Sequence, residues 1–230
     1  MSIDYKKLIV SMETFYNDLT QVENHRYRSW EYCYKSFVEA RKNKENNIDY
    51  LALQLAFYLA SWGMYRGSSF LLQKDYKIHI PIVEEILKPE YDCLLDLDCS
   101  NLINNKNIQD CLENLNKKLK DYYRNIRSSI IENDVKQDIS SILISKILLG
   151  ALGCVPAYDR FFMDGVKLEK VTTANYNLRS LIKLAEFYQQ YREQFEEIRK
   201  KMVVGNLEYP QMKLLDMCFW QIGFENSTKD

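Results

Sequence analysis

Three short segments of this 230-residue chain contain the side chains best suited to chemistry. The first, residues 24–34, interleaves Arg26 and Arg28 with Trp30 and includes His25. Aromatic rings can stack on bases while arginines contact phosphates, and a histidine can act as an acid or a base near neutral pH. The same residues also fit the start of a helix, with Trp30 facing the core and the charges in water. Both interpretations stand at this point.

The second segment, residues 61–70, directly follows the most apolar stretch of the chain. A buried helix that runs into a turn of Gly, Arg and Ser is typical of a pocket floor, because the bend leaves polar groups that need partners. Arg66 could bind an anion together with the backbone amides around Ser68 and Ser69. The alternative is a pair of helix caps, with Arg66 paired to a carboxylate.

The third segment, residues 150–162, ends an apolar helix on glycines and places Tyr158, Asp159 and Arg160 after a stiff Pro156 turn. A carboxylate at the start of a helix is held by backbone amides and by the helix dipole. Asp159 therefore fits a binding or catalytic carboxylate, and the alternative is a plain helix cap, a role that Asp fills routinely.

The remaining chemistry-bearing residues form no recognised motif. The six cysteines include no C-x-x-C pair, so together with two histidines they offer no zinc framework, and we expect no metal. The sequence contains no G-x-x-x-x-G-K-[ST] loop, no nucleophile elbow and no H-E-x-x-H pair, and we expect no cofactor. His79 lies between two isoleucines and is interpreted as a hydrogen-bonded, half-buried side chain.

The elements that must position these segments are helices. Seven Gly and four Pro provide few tight turns, which favours long helices with short links over a sandwich or barrel. Apolar residues recur with helical periodicity, and we predict an all-α, single-domain bundle of about 8–10 helices with a central apolar helix near residues 50–63. We predict one helical domain over residues 1–224 and a disordered tail over residues 225–230.

The periodicity also predicts where the elements lie. No strand is expected, and residues 90–106 are predicted to be irregular. The predicted helices and their ends are residues 4–20, 26–42, 50–63 with Asp49 as cap, one that starts at Ile80 and Pro81 and is ended by Pro89, 107–131 ended by Asn133 and Asp134, 139–149, a short one from Asp159 to Gly165, 174–202, and a last one from Pro210 to Gly223.

The charge balance gives no support to two function classes, and the apolar runs exclude a membrane span. The net charge is −1 and the pI is near 6.2, so the chain lacks the excess of basic residues that is common in dedicated nucleic-acid domains and in polybasic membrane anchors. The most apolar run is shorter than the ~20 residues that cross a bilayer, and the first ten residues do not read as a secretory signal. We therefore expect a cytoplasmic protein with reduced cysteines and no membrane partner.

Two segments resemble known families. Lys146–Gly165 and Leu59–Leu72 resemble segments of bacterial all-helical proteins, a resemblance that implies no particular activity. Lys146–Gly165 is also similar to the helix, Pro turn and Asp of the helix-hairpin-helix DNA glycosylase superfamily, in which an Asp at such a helix start is catalytic. On that resemblance, Asp159 would be the catalytic residue.

Three functions follow as hypotheses. The broadest is a binding or interaction module for a protein partner or a homodimer, supported by Tyr188, Tyr191 and Phe195 on one long helix, since aromatic residues anchor interfaces. The first alternative is a nucleic-acid-associated protein or DNA-acting enzyme with a site around Arg66 and Asp159. The second alternative is a small-molecule or nucleotide site formed by Arg66, Tyr158 and Asp159.

Overall fold

The computed structural model describes residues 5–43, 47–130 and 138–228, and over these residues the chain is all-α. The predicted fold class is therefore confirmed. The predicted helix end at Asn133 and Asp134 lies outside the described residues. The helices are α1 (Tyr5–Gln21), α2 (Arg28–Asn43), α3 (Ile48–Ser61), α4 (Ile80–Ile86), α5 (Cys99–Asn104), α6 (Lys106–Ile130), α7 (Ser141–Ala151), α8 (Arg160–Leu168), α9 (Leu178–Gln190), α10 (Arg192–Arg199) and α11 (Gln211–Ser227).

The fold encloses α11 on every side, and α7 is likewise buried from Leu143 to Ala151, which corrects the expectation that α3 would be the buried centre. Every residue from Gln211 to Gly223 is buried. By contrast, α3 is apolar but exposes Tyr50, Leu53 and Phe57 on one face. Apolar composition alone does not distinguish these cases, because much of any protein surface is apolar. The buried apolar side chains nevertheless form one continuous cluster that includes residues of α1 and α11.

Close packing of α8 on α11 depends on two glycines. A Cβ atom on Gly165 would lie 1.9 Å from the carbonyl oxygen of Phe219, and one on Gly223 would lie 2.0 Å from the carbonyl oxygen of Phe161. Both glycines were predicted to end helices, and both predictions are wrong. Each lies inside a helix, where the absent side chain lets two backbones touch.

The stretch predicted to be irregular, residues 90–106, is instead mostly helical. A 3₁₀ segment covers Pro89–Leu94, and α5 begins after Asp98, whose side chain accepts the Ser100 amide hydrogen at 2.8 Å. The predicted cap of α3 also changes. Asn47 rather than Asp49 accepts the Tyr50 amide hydrogen, at 3.0 Å. Short runs of Asp and Asn are as common at helix caps as in loops, so the sequence alone did not distinguish these short helices from irregular chain.

The long helix predicted over residues 174–202 is two helices, α9 and α10, with a break at Tyr191. A small antiparallel hairpin follows, pairing Val203–Val204 (β1) with Leu207–Glu208 (β2), and no strand was predicted there. Tyr188 and Phe195 are buried. They therefore serve the core, and the aromatic surface expected on this stretch is absent at these two residues.

The final helix continues past the predicted boundary at residue 224. The backbone is helical to Ser227, so the segment predicted to be a disordered tail is helical in its first part, and residues 229–230 lie outside the described residues. No described helix combines the length and apolar character needed to cross a membrane.

Candidate functional site: a basic cleft

The turn after α3 and the turn before α8 meet in space. Between them lies a cleft of about 740 Å³, here called the basic cleft. Parts of the chain that are distant in sequence form its walls, namely Arg26, Ala60–Arg66, Ile142, Lys146, Asp159–Phe161 and Trp220.

Lys146 joins the two turns. Its ammonium group donates a hydrogen bond to the carbonyl oxygen of Trp62 at 2.9 Å and lies 3.3 Å from a carboxylate oxygen of Asp159. The Lys146 side chain is 4% exposed, and burial lowers the pKa of this lysine while the Asp159 charge opposes that effect. Lys146 is the one charged residue of α7, so α7 holds both turns through a single side chain.

Asp159 caps α8, as predicted. One of its carboxylate oxygens accepts the Phe162 amide hydrogen at 3.2 Å, and the other faces Lys146. The carboxylate is therefore held on both sides at the edge of the cleft, where 14% of the side chain is exposed. The catalytic role implied by the glycosylase resemblance stays a prediction.

Three arginines give the cleft its charge. Arg26, Arg66 and Arg160 line it, and none of them makes an ion pair with a carboxylate in the described parts of the chain. With Lys146 they contribute four positive charges against the single negative charge of Asp159. The cleft side chains thus carry a net charge of +3 in a chain whose net charge is −1.

The backbone after Trp62 makes room for Arg66. Gly63 adopts a positive φ of 75°, a conformation that other residues rarely occupy. A Cβ atom on Gly63 would lie 2.9 Å from Nε of Arg66, so the missing side chain leaves the space that this guanidinium uses. The glycine seen in the sequence as part of a turn therefore also places a charge in the cleft.

Aromatic rings form the apolar part of the cleft wall. Trp62 stacks on Tyr27, with ring centroids 4.9 Å apart, and meets the edge of Trp220 at 5.9 Å. Phe161 packs edge-on against Trp220 at 5.2 Å, and the Arg160 guanidinium lies 4.6 Å from the Phe161 ring centroid. The indole nitrogen of Trp62 is buried and has no hydrogen-bond partner among the described residues.

A second buried ion pair supports the cleft from behind. Lys213 and Asp216, both on α11, lie 2.7 Å apart, and Asp216 also accepts the Ala157 amide hydrogen at 2.9 Å. The Lys213 ammonium group lies 5.7 Å from the Trp62 ring centroid and 4.9 Å from that of Trp30. Burial raises the pKa of Asp216, and Lys213 opposes this change. The pair fixes the turn that presents Asp159.

Tyr65 connects the cleft to the interior through His79. The Tyr65 hydroxyl lies 2.7 Å from Nε2 of His79, and Nδ1 of the same ring lies 2.6 Å from the Tyr123 hydroxyl. His79 is fully buried, and burial lowers its pKa to about 4, so the ring is neutral at pH 7. The prediction that His79 is hydrogen-bonded is correct, although the side chain is buried rather than half-buried.

Several residues selected from the sequence lie outside the cleft. Arg28 is paired with Glu31 at 3.2 Å, and Trp30 is buried and donates to the Leu149 carbonyl at 3.0 Å. Tyr158 is buried against Ser180 at 2.9 Å. The other three, His25, Ser68 and Ser69, also do not line the cleft, and the Ser69 hydroxyl caps the turn at Phe70.

Sequence reasoning missed Lys146, Trp62, Phe161 and Trp220 as site residues. A signal existed for Lys146, because a lone charge in an apolar helix must find a partner. The aromatic residues gave no such signal, since rings at helical spacing are ordinarily core residues.

Neither a metal-binding group nor a known relative indicates what the cleft binds. The residues that the structure describes include no group of three or more His, Cys, Asp or Glu side chains arranged to hold a metal ion. Comparison with known protein families, curated protein sequences and solved structures identifies no match to this chain.

Proposed function

We propose that the basic cleft binds a small anionic ligand that contains a planar ring, the chemistry of a nucleotide. The observation that carries this proposal is the convergence of Arg26, Arg66 and Arg160, none of which pairs with a carboxylate within the described residues, on an aromatic-walled cleft. Arginine presents a planar set of donors that matches phosphate oxygens. The Trp62 and Phe161 rings offer faces or edges against which a base can pack.

The size and charge distribution favour a small ligand over a long nucleic acid. A volume of about 740 Å³ falls within the range typical of small-molecule pockets. Because the cleft carries +3 and the whole chain −1, the rest of the chain carries −4. The rest of the chain therefore has no excess of basic residues to release counterions from a long phosphate backbone.

The test measures binding of four probes by calorimetry and by the shift in Tm: a nucleoside 5′-monophosphate, its nucleoside, inorganic phosphate and a single-stranded oligonucleotide. We expect the monophosphate to bind most tightly and to raise Tm by mass action. Trp62 and Trp220 line the cleft, so binding should also change tryptophan fluorescence. Stabilisation by none of the four probes, or by the oligonucleotide alone, contradicts the proposal.

Variants locate the site. Arg66→Ala should weaken monophosphate binding by about 10- to 100-fold, the loss expected for one charge-assisted hydrogen bond. Arg179→Ala is the matched control, because Arg179 is exposed on α9 and does not line the cleft. Equal affinities in the two variants would place binding elsewhere.

A second candidate function is contact with a protein partner or a second copy of the chain through α3. Tyr50, Leu53 and Phe57 lie at helical spacing on one face and are 47%, 47% and 55% exposed. Exposed apolar side chains grouped on one helix face are typical of helix–helix interfaces. Light scattering over a range of concentrations, with Phe57→Glu as the comparison, tests for a dimer. A monomer at all concentrations, with no change in the variant, argues against self-association.

A further inference from the structure

Two cysteines lie against each other on the surface, away from the residues of the basic cleft. Cys93 is on the 3₁₀ segment Pro89–Leu94, and Cys111 is on α6. Their sulfur atoms are 3.7 Å apart, and both thiols point at one acceptor, the carbonyl oxygen of Glu90, at 3.7 Å and 3.4 Å. Cys93 is exposed and Cys111 is partly buried.

We propose that Cys93 and Cys111 are a modification site, which a disulfide-containing oxidant such as glutathione disulfide converts reversibly into an intramolecular disulfide. A disulfide needs a sulfur–sulfur distance of about 2.05 Å, so the two sulfur atoms must approach by about 1.7 Å. Cys93 is carried by a short surface segment, which can supply this movement more readily than the middle of a helix. The modification would fasten the Pro89–Leu94 segment covalently to α6.

The chemistry proceeds in two exchange steps. The Cys93 thiolate attacks one sulfur of glutathione disulfide, forming a mixed disulfide and releasing one glutathione thiolate. Cys111, after losing its proton to solvent, attacks the Cys93 sulfur and releases the second glutathione thiolate. The two cysteine sulfurs are thereby oxidised, and one glutathione disulfide is reduced to two thiols.

Exposure sets the order of the steps. Burial and the hydrogen bond with Cys93 raise the pKa of Cys111 to about 12, so its thiolate is scarce near neutral pH. Cys93 is the thiol that an oxidant reaches first, and Cys111 completes the bond because it is already in contact. An ion pair between Lys118 of α6 and Glu90 of the Pro89–Leu94 segment, at 3.2 Å, keeps this segment beside α6.

The other cysteines provide an internal contrast. Cys33, Cys99, Cys154 and Cys218 are fully buried, and burial raises the pKa of each thiol. A buried thiol with a raised pKa reacts slowly. We therefore expect oxidation to select one cysteine pair out of six cysteines.

The experiment treats the folded chain with glutathione disulfide, blocks free thiols and maps tryptic peptides without reduction. We expect a loss of about 2 Da and a link between peptides 78–106 and 107–117, both reversed by dithiothreitol. Because peptide 78–106 contains Cys99 as well as Cys93, fragment spectra must assign the link to Cys93. The single variants Cys93→Ser and Cys111→Ser should each abolish the link, and Cys111→Ser should accumulate the mixed disulfide on Cys93.

Four results would overturn the proposal. The first is a stable mixed disulfide on Cys93 in the unsubstituted protein with no internal link. The second is a link that uses Cys99, and the third is a disulfide between two chains. A chain that stays fully reduced under conditions that oxidise a small dithiol peptide would count equally against it.

Discussion

At the scale of single residues, Lys146 determines how the basic cleft is assembled. It touches the carbonyl of Trp62 and the carboxylate of Asp159, which are 97 positions apart along the chain. The buried ammonium group is stabilised by these two partners, and each partner in turn needs the ammonium group. Removing one member of such a set leaves the others desolvated without a partner.

We expect Lys146→Met to lower the free energy of unfolding by about 2–4 kcal/mol, because the substitution keeps the length of the side chain but leaves Asp159 and the Trp62 carbonyl unpaired. Urea denaturation measures this change. The double variant Lys146→Met with Asp159→Asn should lose less than the sum of the single variants, since the unpaired carboxylate is gone. Additive losses would show that the two residues act independently.

His79 should make stability depend on pH. Its pKa is lowered from the ordinary value of 6.5 to about 4, so the unfolded chain binds more protons between these values. The neutral ring contributes fully to the free energy of unfolding above pH 6.5, and this contribution is lost as the pH falls toward 4. For a pKa shift of this size, the free energy of unfolding changes by about 3 kcal/mol.

The check is the free energy of unfolding measured between pH 7 and pH 4 for the natural chain and for His79→Gln. The variant should lose stability less steeply over this window, whatever its stability at pH 7. Asp96, whose pKa burial raises to about 6, titrates in both proteins and cancels in the difference. Equal slopes would mean that His79 is not the responsible group.

Sequence patterns identified some of these residues and not others for a physical reason. Asp159 was recognisable because a helix cap is a local arrangement. Arg66 was recognisable because it follows an apolar helix in a Gly-rich turn. Arg28 lies outside the cleft, where it pairs with Glu31 three residues away. Trp62 was overlooked because only the tertiary fold separates a ring in the core from a ring in a cleft wall.

At the scale of elements, the contact between α8 and α11 tolerates no side chain at its closest points. Gly165→Ala would improve helix propensity by about 1 kcal/mol. The added Cβ, however, would overlap the Phe219 carbonyl oxygen at 1.9 Å, and backbone atoms cannot move aside as a flexible side chain can. The clash should dominate.

We therefore expect Gly165→Ala to destabilise the protein by at least about 2 kcal/mol, as measured by urea denaturation. Lys167→Ala, at an exposed position of the same helix, is the control and should change stability by less than about 0.5 kcal/mol. If both variants were as stable as the natural chain, the backbones of α8 and α11 would not be in close contact at Gly165.

The existence of most helices could be read from periodicity, but several of their ends could not. The break between α9 and α10 falls at Tyr191, where no Gly or Pro marks it. The periodicity of Tyr188 and Phe195 continues across the break, because both residues face the same core. Likewise, α5 was hidden among Asp and Asn residues, of which Asp98 serves as a cap.

At the scale of the whole molecule, the buried apolar residues form one continuous cluster drawn from helices along the entire described chain. A shared core couples its elements, so none should unfold alone. We expect one cooperative transition in urea, with coincident curves from far-ultraviolet circular dichroism and tryptophan fluorescence. Two separated transitions would contradict the prediction of a single domain.

The all-α class followed from composition, since few Gly and Pro residues permit few turns. The site did not follow in the same way. Arg66 and Asp159 were suspected separately, but their meeting depends on Lys146 and on the packing of α7, and neither is a local property of the sequence. Long-range convergence of this kind is what a single sequence reveals least.

The walls of the basic cleft come from residues 26, 60–66, 142 and 146, 159–161 and 220. Contacts between parts of a chain so far apart form late in folding, because closing a long loop loses chain entropy before the contact energy is gained. A molecule that has folded only in part would therefore have helices but no cleft. A ligand of the cleft would therefore bind the fully folded protein and not a partly folded one. Because the bound ligand would hold five distant segments together, it would slow unfolding and so protect the folded protein from proteases.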